Sequence, residues 1–254
     1  MSRVWTVAAC TVREAVRDKL LYNLVVFALL LIVSTILLSR LTLGDSHRLV
    51  LDVGLAAINL FGVVIAIFVG VGLVNREIER KTIYVVLSKT IPRWQFLLGK
   101  YVGLAGTVAA NVAIMAVGLA LVLWLMDIPV RGELAAALLA ICLELWVLTA
   151  VALLCSTVTS TTLSAMCTLT VYVVGHSIGQ LTTFGEQLDP IGRTVVTVAA
   201  YVLPVLERFN LKGLVIEPQP FGSLEVFGLI AYGLTYIGFL LALATAVFQR
   251  RDFQ

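Results

Sequence analysis

The chain has 254 residues, of which 60% are hydrophobic and 13% are charged, and its mean hydropathy is +1.03. A soluble domain carries about 25% charged residues, so this chain has about half the charge that a water-facing surface requires. The composition excludes a soluble enzyme, a nucleic-acid-binding protein and a disordered chain, and the net charge of +3 is too small to indicate a polyanionic partner.

The first segment, residues 1–19, precedes the first long apolar stretch. Its apolar residues recur at helical spacing from Val4 onward, and its basic residues occupy much of the remaining surface. This spacing predicts a helix that lies in the membrane interface, and a plain solvated lead-in is the alternative. We expect no cleavable signal peptide here, because the segment lacks a short apolar core followed by small residues.

Uncharged stretches long enough to cross a bilayer follow along the chain. A helix needs about 20 apolar residues to cross about 30 Å of hydrocarbon, and four stretches between charged residues each have room for one. The stretch from Glu133 to Glu186 is too long for one span. Its Ser/Thr cluster at 156–162 predicts a tight turn between two spans, with one long kinked helix as the alternative. The predicted spans are about 20–39, 54–75, 101–126, 134–156, 162–181 and 225–249.

The distribution of basic residues favours six spans over five. With six spans, both termini share one side with residues 76–100 and 157–162, and that side holds 12 of the 18 Lys and Arg residues. The positive-inside rule then places both termini in the cytoplasm. With five spans, the basic tail at 250–251 would lie outside, against this rule. The sequence therefore predicts an all-α, polytopic protein with a single transmembrane domain over residues 1–254, in the inner (cytoplasmic) membrane.

Two of the segments between spans are too long to be simple connections, since helix–helix connections in bundles need about 2–8 residues. The cytoplasmic segment 76–99 has a charged start, an apolar run and a proline. This pattern indicates contact with a partner or the membrane surface, and an interfacial helix without a partner is the alternative. The outer loop 182–224 contains the uncharged run 194–206, which Pro204 interrupts. This run predicts a re-entrant or interfacial helix that caps the outer end of the bundle.

Glu144 is the most unusual residue, because it lies near the middle of the fourth span. A carboxylate at this depth is costly unless it is paired, protonated or facing a cavity. His176 on the neighbouring span lies about 5–10 Å closer to the outer face by helix rise. One interpretation places Glu144 and His176 on a polar substrate path, and the alternative is a structural, protonated Glu144.

Residues 175–179 match the pattern G-x-S-x-G, which marks a nucleophilic serine only at a strand-to-helix turn. Ser177 instead lies in a predicted membrane helix, and its neighbour His176 points about 100° away. We therefore do not expect an intramembrane serine hydrolase or any other catalytic residue. Gly175 and Gly179 form a GxxxG pair, as do Gly99 and Gly103, and this spacing predicts close helix packing.

Neither a metal site nor a nucleotide site is expected in this chain. The four cysteines form no CxxC pair, which argues against a disulfide framework and a zinc site. The P-loop pattern G-x-x-x-x-G-K-[ST] has no match, so any ATP hydrolysis must belong to another chain.

The six spans, the inward termini and the charged segment after the second span together resemble the permease subunits of ABC-2 type ABC exporters. The specific match consists of REIERKT at 76–82, LSKTIPR at 87–93, FLLGK at 96–100, PVLERF at 204–209 and FQRRD at 248–252. The family usually has Gly before the Thr, where this chain has Lys81. The branch that it resembles most is the one named for the nitrous-oxide-reductase maturation permease.

The resemblance implies a dimer, formed with a second copy or a paralogue, above two ABC ATPase subunits that bind the ATP and Mg²⁺; this chain would hold no cofactor. The segment 76–92 would be the coupling helix that enters a groove of the ATPase. The expected coupling residues are Arg76, Glu77, Glu79, Arg80, Lys81, Ile83, Leu87, Pro92 and Arg93. Membrane lipids are further expected partners, and the outer loop leaves room for an accessory protein. An alternative function is a membrane scaffold for an ATPase-driven maturation or assembly complex, with no substrate crossing the bundle.

Overall fold

The computed structural model describes residues 2–41, 46–79, 92–129, 132–185, 203–216 and 223–250, and the regular elements within these ranges are all helices. Six of them are long and apolar enough to cross a membrane, so the predictions of an all-α fold and of six spans are confirmed. The helices are α1 (Ser2–Val16), α2 (Lys19–Leu41), α3 (Ser46–Glu79), α4 (Arg93–Leu125), α5 (Gly132–Val158), α6 (Thr161–Gly185), a 3-10 helix (Leu206–Phe209), α7 (Lys212–Ile216) and α8 (Ser223–Arg250).

Two helices begin well before the predicted spans. α3 begins at Ser46 instead of 54, and α4 begins at Arg93 instead of 101. Charged residues bounded the predicted spans because they limit the part of a helix that can enter hydrocarbon. They do not end the helix, since its backbone groups are satisfied internally in water and lipid alike. The segment 76–99 therefore starts with the last turn of α3 and finishes with the first turns of α4.

The Ser/Thr cluster forms the turn between α5 and α6. α5 ends at Val158 and α6 begins at Thr161. The Thr159 hydroxyl donates to the carbonyl of Cys155 at 2.9 Å and lies 2.7 Å from the hydroxyl of Ser164. α5 and α6 pack against each other after this turn, which excludes the alternative of one long kinked helix.

α5 is the central helix of the bundle. It contacts α3, α4, α6 and α8, and 67% of its span is buried within the chain. Its apolar residues occur all round the helix, as expected for a buried element. Trp146 donates its indole N–H to the Ala105 carbonyl of α4 at 3.0 Å. Toward α3, a Cβ added at Gly70 would lie 2.8 Å from that of Ala152, so a small residue is required there.

The elements that do not span lie at opposite ends of the bundle. The end that contains α1, here called the proximal end, also has the start of α4 and the α5–α6 turn. The end that contains residues 203–216, here called the distal end, has the start of α8 and the end of α6. Exposed tryptophans lie near both ends, Trp5 and Trp94 at the proximal end and Trp124 at the distal end. Aromatic side chains at two levels are typical of the two interfaces of a membrane. The sequence predicts that the proximal end faces the cytoplasm.

Candidate functional site

Four polar side chains meet inside the bundle, between α3, α5 and α6. They are Asn59, Glu144, Tyr172 and His176, here called the polar cluster. The Glu144 side chain has no solvent exposure and Asn59 is 4% exposed. Because an unpaired polar group in a membrane interior is costly, the partners of these side chains determine what the cluster can do.

Asn59 connects two members of the polar cluster. Its Nδ2 atom donates to Oε2 of Glu144 at 2.9 Å, and its Oδ1 atom accepts from the Tyr172 hydroxyl at 3.1 Å. These two bonds fix the orientation of the amide, since only one arrangement of its oxygen and nitrogen satisfies both partners. The carboxylate on α5 is thus joined to α6 through an amide on α3.

His176 reaches Glu144 from α6. Its Nε2 atom lies 3.5 Å from Oε1 of Glu144, which is longer than a direct charge-assisted hydrogen bond of about 2.7–2.9 Å. Its ring centroid is 4.7 Å from that of Tyr172, one helical turn earlier. The His176 side chain is 26% exposed, so its imidazole extends from the buried Glu144 carboxylate to the exposed face of α6.

Residues 203–216, here called the distal segment, add charge to this region. The Glu207 carboxylate packs against Gly179, which follows His176 by one turn of α6. Glu207 and Lys212 both act electrostatically on His176, and Lys212 also acts on Glu144. A charge on a substrate or ion near His176 would therefore experience this distal pair as well as the polar cluster.

Sequence reasoning named only part of this arrangement. It named Glu144 and His176 as candidate pathway residues and left their contact open, and the structure places Nε2 of His176 3.5 Å from Oε1 of Glu144. Neither Asn59 nor Tyr172 was among the predicted site residues. The signal for Tyr172 was its position four residues before His176, which places both rings on one face of α6.

The two glycine pairs each receive a segment that does not span. A Cβ at Gly103 would lie 2.7 Å from the Ala8 carbonyl oxygen, and Gly99 faces α1 in the same way. A Cβ at Gly175 would lie 2.7 Å from the Pro204 carbonyl oxygen. The pairs thus allow α1 and the distal segment to approach the spans closely.

Four of the nine expected coupling residues lie outside the described part of the structure. These are Arg80, Lys81, Ile83 and Leu87. The backbones of Arg76, Glu77 and Glu79 belong to the last turns of α3, and Arg93 begins α4. Pro92 precedes α4 in an extended conformation, with φ −63° and ψ 139°. Proline fixes φ near this value and has no N–H, so it suits the start of a helix.

Ser177 lacks the geometry of a nucleophile. Its hydroxyl donates to the Val173 carbonyl at 2.9 Å, and the adjacent His176 faces Glu144. Across the residues that the structure describes, no group of three or more His, Cys, Asp and Glu side chains could hold a metal ion. The Sγ atoms of Cys155 and Cys167 lie 2.9 Å apart where α5 and α6 pack together.

Comparison with known proteins identifies the family. The family model described as "ABC-2 family transporter protein" matches residues 5–253, which include all six candidate spans. A search of curated proteins found no match. The chain therefore belongs to the ABC-2 family of transporter proteins, as a multi-pass membrane permease.

Proposed function

We propose that this chain is the membrane-spanning subunit of an ABC exporter in the inner (cytoplasmic) membrane, and that it forms the pathway together with a second copy or a paralogue. A separate ABC ATPase supplies the energy, bound at the segment 76–92. Family membership supports the permease role and an ATPase partner. The finer placement in the branch named for the nitrous-oxide-reductase maturation permease rests on the resemblance in motifs and is part of this proposal.

The observation that carries the pathway is the mismatch between the polarity and the exposure of α6. Among the candidate spans of the described chain, the α6 span at Thr161–Gly179 has the lowest mean hydropathy, yet only 22% of it is buried. Thr170 is exposed and Ser177 is half-buried on it, although their hydroxyls bond back to the helix. A polar helix surface is disfavoured against lipid and is suited to protein or water.

The polar cluster opens on this same helix. His176 is partly exposed on α6, and Glu144 lies behind it. A cavity formed between the α6 helices of two subunits would therefore have an imidazole on each wall, with a buried carboxylate behind each imidazole. Intramembrane ionisable residues commonly mark substrate or ion pathways. Glu144 and His176 are therefore the proposed pathway residues.

Thiol labelling tests the pathway directly. In a variant whose four native cysteines are replaced, Thr170→Cys and Ser177→Cys should react with a membrane-impermeant thiol reagent, and the extent should change when ATP binds. Val26→Cys on α2 is the matched control, because it is also exposed but belongs to one of the most hydropathic spans. Equal labelling at all three positions would contradict the pathway. If neither Thr170→Cys nor Ser177→Cys reacted in any nucleotide state, the result would favour the scaffold function.

Charge reversal tests the coupling segment separately. Glu79→Lys or Arg80→Glu should leave ATP hydrolysis but remove the effect of ATP on α6 labelling, since the reversed charge misfits the ATPase groove. Asp52→Lys, at an exposed site at the distal end of α3, is the control and should keep the response. Unchanged ATPase co-purification together with an unchanged ATP response would argue against this docking site.

A further inference from the structure

A cleft opens at the distal end, between the segment 203–216 and the first turns of α8. Its volume is about 310 Å³. It is lined by Arg208, Leu211, Glu225, Gly228, Leu229 and Tyr232. None of these residues belongs to the polar cluster, so the cleft is a separate feature of the molecule.

The wall formed by the distal segment is firmly anchored. Leu206 and Phe209 of the 3-10 helix are fully buried, and the backbone N–H of Val205 donates to the Tyr232 hydroxyl at 3.0 Å. The guanidinium carbon of Arg208 lies 5.1 Å from the centre of the Tyr232 ring. This cation–π contact holds Arg208 at the mouth of the cleft, while the guanidinium keeps N–H donors for an anion.

Opposite charges lie on the two walls. Arg208 and Glu225 are both exposed, and within the described ranges no salt bridge joins them. Between them, Leu211 and Leu229 provide an apolar surface. Nothing lies within 4 Å of a Cβ built at Gly228, so this glycine leaves the cleft open. The cleft therefore suits a small group that carries both a negative and a positive charge.

The cleft lies at the level where hydrocarbon meets headgroups. The apolar span of α8 begins at Glu225, and the exposed Trp124 belongs to the same end of the bundle. From Tyr232 a row of rings runs toward the centre of the bilayer, through Tyr236 and Phe239, with centroid separations of 6.1 Å and 6.3 Å. Phe239 is exposed, so this row offers a lipid chain an apolar track that continues from the cleft.

We propose that the cleft binds the headgroup of a zwitterionic aminophospholipid, with phosphatidylethanolamine as the representative. Arg208 binds the phosphate, Glu225 binds the ammonium group, and an acyl chain follows the aromatic row on α8. The volume is at the lower end of the range for ligand pockets, about 300–1,000 Å³, and fits a headgroup better than a whole lipid. This site goes beyond the proposed function, because the bound lipid need not be the cargo.

Lipid titration of the delipidated full-length protein, purified with its associated subunits in mild detergent, tests the proposal. Native mass spectrometry should show phosphatidylethanolamine binding about tenfold more tightly than phosphatidylglycerol, which lacks the ammonium group. Arg208→Gln should weaken both lipids by about tenfold or more, because both have the phosphate. Glu225→Gln should remove only the preference between them.

Filling the cleft gives the sharpest comparison. Gly228→Leu should abolish the binding, whereas Gly238→Leu should not, because Gly238 is equally open but lies outside the cleft on the same helix. Equal melting temperatures of the two lipid-free variants would show that both fold. Binding by Gly228→Leu at the wild-type level would overturn the proposal. The proposal would also be overturned if inorganic phosphate or free phosphoethanolamine bound as tightly as the lipid, since either result would indicate a soluble anion as ligand.

Discussion

The proximal and distal ends of the bundle use the same glycine spacing for different purposes. At the proximal end, Gly99 and Gly103 face the backbone of α1, a regular amphipathic helix. At the distal end, Gly175 and Gly179 face an irregular segment, which contributes the carbonyl of Pro204 and the carboxylate of Glu207. The GxxxG pattern thus supplies room beside a helix, and it does not specify what fills that room.

The difference between the two ends has a consequence for function. α1 lies along α4 and covers Lys100, whose Nζ atom is 3.8 Å from Oε2 of Glu14. The distal segment instead brings charge close to His176 of the polar cluster. We therefore expect changes at the proximal end to alter mainly stability, and changes at the distal end to alter access to the cluster.

The largest expected effect is that of Gly103→Ala. The new methyl group would meet the Ala8 carbonyl oxygen and the Cβ of Thr11, both at 2.7 Å, and relief requires α1 to move away from α4. Overpacking of this kind costs about 1–3 kcal/mol, so the melting temperature of the purified protein should fall by several degrees. Gly106→Ala on the same helix is the control, because nothing lies within 4 Å of its Cβ, and it should be neutral or stabilising. Equal melting temperatures for the two variants would argue against close packing of α1.

A smaller loss of stability but a clear change in access is expected for Gly175→Ala. Its methyl group would lie 2.7 Å from the Pro204 carbonyl oxygen and 2.9 Å from Cγ of Leu206, and relief displaces a short segment, whereas relief at Gly103 displaces the whole of α1. Displacing this segment should increase the reaction of His176 with diethylpyrocarbonate.

The chain makes this measurement simple, because it has only two histidines and His47→Gln removes the other. Gly99→Ala is the matched variant at the proximal end, and it should leave the rate of modification unchanged. The comparison between the ends would fail if both variants raised the rate equally.

The sequence predicts the architecture well for a physical reason. Hydrocarbon thickness sets the length of every span, so apolar stretches can be counted, and the Ser/Thr cluster at 156–162 shows where the stretch from Glu133 to Glu186 divides. Glu144 was identifiable because a carboxylate at that depth needs a partner. Helix rise placed His176 about 5–10 Å closer to the outer face and left its contact with Glu144 open.

The rest of the site depends on which helices are neighbours and how each is rotated. The spans are apolar nearly all round, so periodicity does not show that α3 turns Asn59 toward α5. Nor does any local pattern show that Gly175 and Gly179 receive the distal segment and not another span. These features follow from long-range packing, which spacing along one helix does not determine.

The smallest expected effect is that of Lys100→Met. Lys100 is 2% exposed, but its partner Glu14 is 44% exposed and remains solvated without it. Removing the buried ammonium also removes its desolvation penalty, which offsets the lost attraction to Glu14, and Met preserves most of the buried volume. The melting temperature should therefore change little, whereas Lys100→Ala should lower it by leaving a cavity beneath α1. An equal fall in melting temperature for Lys100→Met and Lys100→Ala would mean that the charge of Lys100, and not its packed aliphatic stem, holds α1 in place. The proximal end would then depend on electrostatics as the distal end does.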